Sequence, residues 1–420
     1  MNKTATAHSF FLKAAVAVML VQSFVVSHVI KGLVLSYVFI ALQFGKDILL
    51  RPHQPGTLSI LINFVKFMIL FAGLQVISQF LNAVLPPVFH NELTLISFEP
   101  LTAVLFRKSL FTQSVYMAVS VLFFLYLFRY LKDTDDVAGI IRVAKIGLVV
   151  YVVYGFVEFL GFMFTGLNLD FISNRITGED FHYGLFQTVQ MGGLTLQRMK
   201  SLAGEPSMFA YSVIPFVVLF YYLKDRIYIL LTVALLLSTA TTGLLGLVTF
   251  LLIEIIFRFK KSFKLILASG AVLAVITALF YDIIISFVEF STDKIAGGHM
   301  STIQRLSEFT NHTGFFLQSD PGHILFGYGF GYARSTDLLA TLLFNSGLVG
   351  LILFTTFFIY PFARMNLDSD YRKGLLTAVV VLLVVMFASV TEPYYLHIWF
   401  LAALAWYEYY RDMRAKYGLP

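Results

Sequence analysis

Apolar runs of roughly 16–25 residues recur from one end of the chain to the other, separated by short polar stretches, which is the pattern of membrane-spanning helices. Twelve segments fit, at about 10–27, 31–45, 58–81, 109–130, 138–163, 207–223, 226–241, 243–257, 264–289, 332–360, 374–390 and 395–410. The first two, and the pair flanking Thr241-Thr242-Gly243, are short for a hydrocarbon core of about 30 Å, so they would thin the bilayer or pack inside the bundle. The pattern predicts an all-α, polytopic integral membrane protein forming one transmembrane domain over 1–420. The N-terminal stretch carries Lys3 and turns apolar at Phe10, like a signal peptide, but no small-residue cleavage site follows; a retained first span is expected.

The polar intervals are unequal. Those at 82–108, 164–206 and 290–331 are long enough to carry function rather than merely connect spans. Basic residues orient the chain. With the N-terminus inside, only Lys31, Arg107, Lys108, Arg175, Arg198, Lys200, Lys294, Arg305 and Arg334 of the 30 Lys and Arg fall outside. Both termini are then cytoplasmic, and the long intervals are periplasmic loops.

Composition narrows the class. At 58% hydrophobic and 13% charged residues, with mean hydropathy +0.81, the chain is no soluble domain. The excess of Lys and Arg over Asp and Glu, 30 against 24, reads as orientation rather than nucleic-acid binding. The chain has no cysteine, which excludes disulfides, thiol nucleophiles and cysteine metal sites. No internal repeat relates the halves, which weighs against a transporter.

Candidate chemistry gathers in the outer loops. In RMKSLAGEPSMFAYSVIP (198–215), Arg198, Lys200 and Ser201 lead into Glu205-Pro206 and then an apolar helix. Proline suits the first helical turn, whose unpaired N–H groups carry partial positive charge, so this end suits an anion. The alternative is a well-capped helix with interfacial anchors. Arg305 and Arg334 also lie outside against the trend, and the guanidinium fork suits phosphate. In 327–350, Gly327, Gly329 and Gly331 approach the membrane, Asp337 stands at a helix start, and Gly347 and Gly350 permit close packing. Glu392-Pro393 repeats the Glu-Pro helix entry. Glu158 and Asp282 fall inside spans, where carboxylates are costly. Asp133-Thr134-Asp135 reads as a solvated inner turn, and no histidine spacing suggests a metal. Tyr183 and Tyr328 add aromatic loop positions.

Three stretches, RMKSLAGEPSMFA, STATTGLLGL and STIQRLSEF with the following FGYGFGYARSTDLLATLLFNSGLVG, together resemble the O-antigen polymerase and O-antigen ligase superfamily. The likeness covers about 195–355. Its ligase branch has a histidine followed by Asn, Ser or Gln, nine residues and GxxG. Here Gly347 and Gly350 are in register but the pair is Thr336-Asp337, which favours the polysaccharide polymerase branch. The paired Arg-x10-Gly motifs described for polymerases are absent; Phe209, Phe316 and Asn345 stand where those glycines would be.

The resemblance implies a bacterial inner-membrane glycosyltransferase that polymerises undecaprenyl-diphosphate-linked repeat units on the periplasmic face. Donor and acceptor glycans and the lipid bilayer are its implied partners, with a polysaccharide chain-length regulator optional. Arg198, Arg305 and Arg334, with Lys200, Ser201, Tyr183 and Tyr328, would bind the diphosphate and glycan without a metal or cofactor. Glu205, then Asp337, then Glu392 are the candidate proton acceptors. A ligase to lipid A–core and a flippase or transporter of lipid-linked oligosaccharide remain alternatives. Flippases need charge along a path through the membrane, and here charge concentrates in outer loops.

Overall fold

A computed structural model describes residues 9–27, 32–96, 99–175, 187–191, 194–258 and 300–418; the expected span at 264–289 and Asp282 lie outside them. The described chain is mostly helical. Its helices are α1 Phe10–Ala17, α2 Leu35–Leu50, α3 Pro55–Val84, α4 Lys108–Thr134, α5 Val137–Thr165, α6 Pro206–Tyr222, α7 Ile227–Leu237, α8 Thr241–Arg258, α9 Met300–Leu317, α10 Pro321–Phe326, α11 Leu338–Arg364, α12 Asp370–Ser389 and α13 Leu396–Tyr417. A two-stranded antiparallel hairpin, β1 Thr188–Met191 and β2 Leu194–Gln197, pairs Thr188 with Gln197.

Among the described residues, α3, α4, α5, α11 and α12 are long and apolar enough to cross a membrane, so five helices meet that test where twelve spans were expected. α6, α7 and α8 are apolar but shorter. At 1.5 Å per residue, the 11 residues of α7 reach about 16 Å and the 17 of α6 about 26 Å. The turn after α7 is therefore sunk below the start of α6, and polar backbone at that depth must be satisfied by protein.

The core forms around α6. Every position of that helix except Ser207 and Tyr221 is buried, as expected of a helix apolar on all sides, and it packs against α12, α7 and α8. At one end, ion pairs tie helix termini together: Lys145 to Asp225, Lys224 to Asp370, and Arg372 to both Glu408 and Asp412. Asp135, at the turn expected to be solvated, receives the Tyr407 hydroxyl there. The candidate residues sit at the opposite end.

Several expectations change. The apolar run 10–27 is helical only to Ala17; beyond it, Gln22 and Ser23 donate their N–H groups to Leu202 O at 2.8 and 2.9 Å, and Val25 bridges to Val34. Hydropathy cannot separate a lipid-facing span from an extended segment buried by protein, and this segment is the second kind. The interval 290–331 contains α9 and α10, and 164–206 contains the hairpin. The 332–360 span starts later, at Leu338, because 332–334 pair with 94–96: Arg334 N donates to Thr94 O at 2.9 Å and Ile96 N to Tyr332 O at 2.8 Å. α11 is broken at Gly347 (φ +63°), where a Cβ would lie 2.3 Å from Leu325 O, so the break lets α10 come against it. Gly350 has no such neighbour; a Cβ there would meet only Ser346.

Candidate functional site

Glu205-Pro206 opens α6 as the sequence predicts. Proline is at the first helical position and Glu205 is the extended residue before it, with Oε1 accepting the Ser207 hydroxyl at 2.9 Å. Arg198 reaches the sunken end of α7. Its Nε donates to Thr239 Oγ1 at 2.9 Å and Ser238 O at 3.3 Å, its Nη2 donates to Thr239 O at 3.3 Å, and its Nη1 donates to Gln187. A cation on the last carbonyls of a helix is favourable, so α7 both uses and orients this guanidinium. Three of its five N–H groups are committed among the described residues, which leaves two to donate elsewhere.

Arg198, Glu205 and Arg305 form one electrostatic unit. Burial pushes the Arg198 guanidinium down to about 10; Glu205 works against that shift and Arg305 adds to it. Two guanidinium groups repelling each other in a half-buried setting are relieved when an anion binds between them. Arg305, on the first turns of α9, makes no hydrogen bond or ion pair through its guanidinium among the described residues, while its carbonyl accepts the Thr336 hydroxyl at 3.2 Å.

Arg334 and Glu392 form the next part. Glu392 is 5% exposed and Arg334 56%, and they are joined by an ion pair; Arg334 Nε also donates to Thr391 Oγ1 at 3.3 Å. Glu392 holds Arg334 above the usual arginine range, with Glu205 contributing. The expected helix entry at Glu392-Pro393 is not there: Pro393 and Tyr394 form a turn, α13 starts at Leu396, and Tyr37 and Ser120 both donate to Tyr394 O, at 3.0 and 2.5 Å. Arg175 joins from the 164–206 interval. Hydrogen-bonded to Tyr395 and beside Glu392, it too is held above the ordinary range.

Asp337 is the N-cap of α11, accepting Ala340 N at 2.8 Å and the Ser335 hydroxyl at 3.0 Å. Burial raises its carboxyl above the usual range even so. With Arg305 and Thr336 it forms the polar end of a groove of about 540 Å³, whose remaining wall is largely apolar and includes Leu244, Val248 and Phe387.

Other predicted residues lie elsewhere. Lys200 is fully buried, with Nζ ion-paired to Asp170 and, at 3.5 Å, to Glu158. That pairing accounts for the carboxylate inside α5. Ser201 is also buried, donating to Tyr151 O at 2.5 Å. Tyr328 belongs to a separate aromatic cluster with Phe89, Phe315 and Phe344. Tyr183 lies outside the described residues. Among the described residues, no group of three or more acidic or histidine side chains is placed to hold a metal ion.

Sequence reasoning missed Arg175, Gln187, Thr239 and Tyr395. Arg175 carried the same signal as the chosen arginines, an outer position against the charge trend. The other three are uncharged and give no such signal. No protein-family model matches the chain, and no curated protein matches it.

Proposed function

We propose that this chain is a membrane glycosyltransferase that polymerises undecaprenyl-diphosphate-linked repeat units at the periplasmic side of the bacterial inner membrane, with both termini cytoplasmic. The observation that carries the reading is the convergence of Arg175, Arg198, Arg305 and Arg334 with Glu205 and Glu392 beside an apolar groove. Four guanidinium groups outnumber the three carboxylates of Glu205, Asp337 and Glu392, a net positive balance that suits a sugar-linked diphosphate. The groove has the apolar character that a polyprenyl chain needs.

In the reaction, the acceptor hydroxyl oxygen attacks the anomeric carbon of the donor glycan. The bond from that carbon to the diphosphate oxygen breaks, its electron pair leaves with the diphosphate, and the acceptor proton passes to a carboxylate. Arg198 and Arg305 neutralise the charge that develops on the leaving group, the kind of fixed electrostatic stabilisation that usually dominates catalysis. Of the three candidate bases, Asp337 is occupied as a helix cap and Glu392 as the partner of Arg334. Glu205 is the least committed, accepting only the Ser207 hydroxyl among the described residues. We assign it the proton, with Glu392 and Arg175 orienting Arg334.

The test is deletion of the gene followed by electrophoresis of surface polysaccharide, complemented by wild type or Arg305→Ala. A polymer ladder lost while single capped units persist, and restored by wild type but not by Arg305→Ala, supports the polymerase. Loss of all capping turns the assignment to a ligase or flippase, and an unchanged ladder removes it.

A further inference from the structure

A second cavity, of about 790 Å³, opens on another face of α9, between that helix and the 84–93 segment that follows α3. Its size is that of a small-molecule site. Its floor is fixed. Asn82 Nδ2 donates to Tyr328 O at 2.7 Å and Val104 O at 3.1 Å, which orients the amide and presents Oδ1 to His323 Nε2 at 2.9 Å. The other His323 nitrogen is paired with Asp320, and the Tyr328 ring stacks on the imidazole at 4.3 Å. Both nitrogens of this histidine are engaged and the ring is buried, so the floor is a rigid surface rather than a reactive group.

The walls carry a different chemistry from the arginine cluster. Asn311 and Gln318 supply amides, Glu92 and Asp320 carboxylates, and His90 meets Phe315 edge to face at 6.0 Å. Among the described residues no lysine or arginine lines the cavity, His323 is already paired with Asp320, and the carboxylates of Glu92 and Asp320 disfavour a phosphate there. Amides and carboxylates beside aromatic rings and Pro86-Pro87 suit a neutral polyhydroxylated ligand, whose hydroxyls donate and accept and whose C–H faces are apolar.

α9 connects this cavity to the proposed diphosphate site. Arg305, Leu306 and Phe309 face the apolar groove, and Asn311, Gly314, Phe315 and Gln318 face the second cavity. Within each stripe the residues follow the i, i+3, i+4 spacing of one helix face, and at about 100° per residue the two stripes lie on roughly opposite sides of α9. From Arg305 to Gly314 the helix rises about 14 Å, at 1.5 Å per residue.

We propose that the cleft between α9 and the 84–93 segment binds the neutral oligosaccharide of the lipid-linked glycan, at a distance from the diphosphate. The proposal rests on the function assigned above for the origin of the ligand, but not for the chemistry of the cleft. Gly314 offers a clean perturbation, because a Cβ added there meets nothing within 4 Å. Gly314→Trp should fill the cleft without disturbing the packing.

The experiment uses the full chain in nanodiscs and two probes. One is the repeat-unit oligosaccharide released by mild acid from the host's lipid-linked pool, followed by saturation-transfer NMR. The other is undecaprenyl diphosphate in the same nanodiscs, followed by thermal shift. Gly314→Trp should weaken oligosaccharide binding at least tenfold and leave the undecaprenyl diphosphate shift intact, whereas Arg305→Ala should do the reverse. Gln318→Ala, which removes one hydrogen-bonding amide, should cost roughly two- to tenfold and decides the matter if Gly314→Trp does not fold. Oligosaccharide binding that is absent from wild type, or equal in wild type and both cleft variants, overturns the proposal. Oligosaccharide binding that these variants block, with no response to undecaprenyl diphosphate, supports the cleft while sinking the polymerase reading.

Discussion

Lys200 offers the sharpest test of how the basic run before α6 is used. Its ammonium is fully buried between Asp170 and Glu158, whose side chains are each 1% exposed. Lys200→Met keeps the length and apolar stem but strands two carboxylates in a buried setting. Removing one partner of a buried pair costs about 3–5 kcal/mol, much of it from the charge left behind. That is roughly a hundred- to several-thousand-fold in the folding equilibrium, at about 1.4 kcal/mol per factor of ten.

The cost should depend on pH with a definite sign. In the wild type, burial pushes the Asp170 carboxyl up, but Lys200 and the hydrogen bonds from Ser173 together outweigh it and hold the group below its usual value. Asp170 therefore contributes stability that is present above the unfolded carboxylate range near pH 3.9 and is lost as pH falls through the lower folded value. In Lys200→Met, only the hydrogen bonds from Ser173 and Tyr154 are left to oppose burial, so Asp170 shifts toward its protonated form and the penalty grows as pH rises from about 4 to 7. Equilibrium unfolding in mixed micelles at both pH values would read this. The triple variant Lys200→Met/Asp170→Asn/Glu158→Gln should recover part of the loss. Full stability of Lys200→Met at pH 7, with weakened binding of undecaprenyl diphosphate, would refute the buried triad and put Lys200 in the binding site.

Arg198→Lys should reduce polymerisation strongly although charge is kept, because a lysine cannot hold Thr239 and Gln187 and also face an anion; loss of one donor from such a site commonly costs about 100- to 1,000-fold in rate. Glu205→Gln should abolish turnover while donor binding persists, and near-normal ladders from both variants at equal protein levels would dismiss the site. Reporter fusions at Glu179 and Ser301 should read as periplasmic, and those at Asp135 and Asp370 as cytoplasmic; a cytoplasmic signal from Glu179 would invert the site's placement.

The long helices were legible because lipid-facing spans are written in hydropathy alone, and α3, α4 and α5 begin and end within a few residues of their apolar runs. The Glu205-Pro206 entry was legible because proline's fit to the first turn is local. Glu392-Pro393 looked the same and was not, since its backbone is held by Tyr37, Ser120 and Trp399, the last donating to Pro393 O at 2.9 Å. Those partners lie on three different helices. In the expected topology the arginines stand out against the charge rule. Lys200 did so equally, but its use depends on Asp170 and Glu158, distant in sequence, and no local pattern separates a buried cation from a ligand-facing one. The second cleft was invisible for a related reason: its walls are amides, carboxylates and rings drawn from 84–93 and 311–328, ordinary residues until the fold sets them opposite one another.

The extended segment after α1 has a consequence for how the chain is made. Gln22 and Ser23 are partnered by Leu202, and the Gln22 amide donates to Ser212 at 3.1 Å. Synthesis from residue 22 to residue 202 takes about 10–40 s at 5–20 residues per second. Through that interval the backbone groups of Gln22 and Ser23 lack their Leu202 partner, while α3, α4 and α5 are being made. The stretch between Arg198 and Glu205 is thus held at Leu202 by residues made much earlier. Biogenesis of the site must wait on the middle of the chain, and ribosome-bound intermediates halted before Leu202 would present the early segment to insertases and proteases as an unfinished edge.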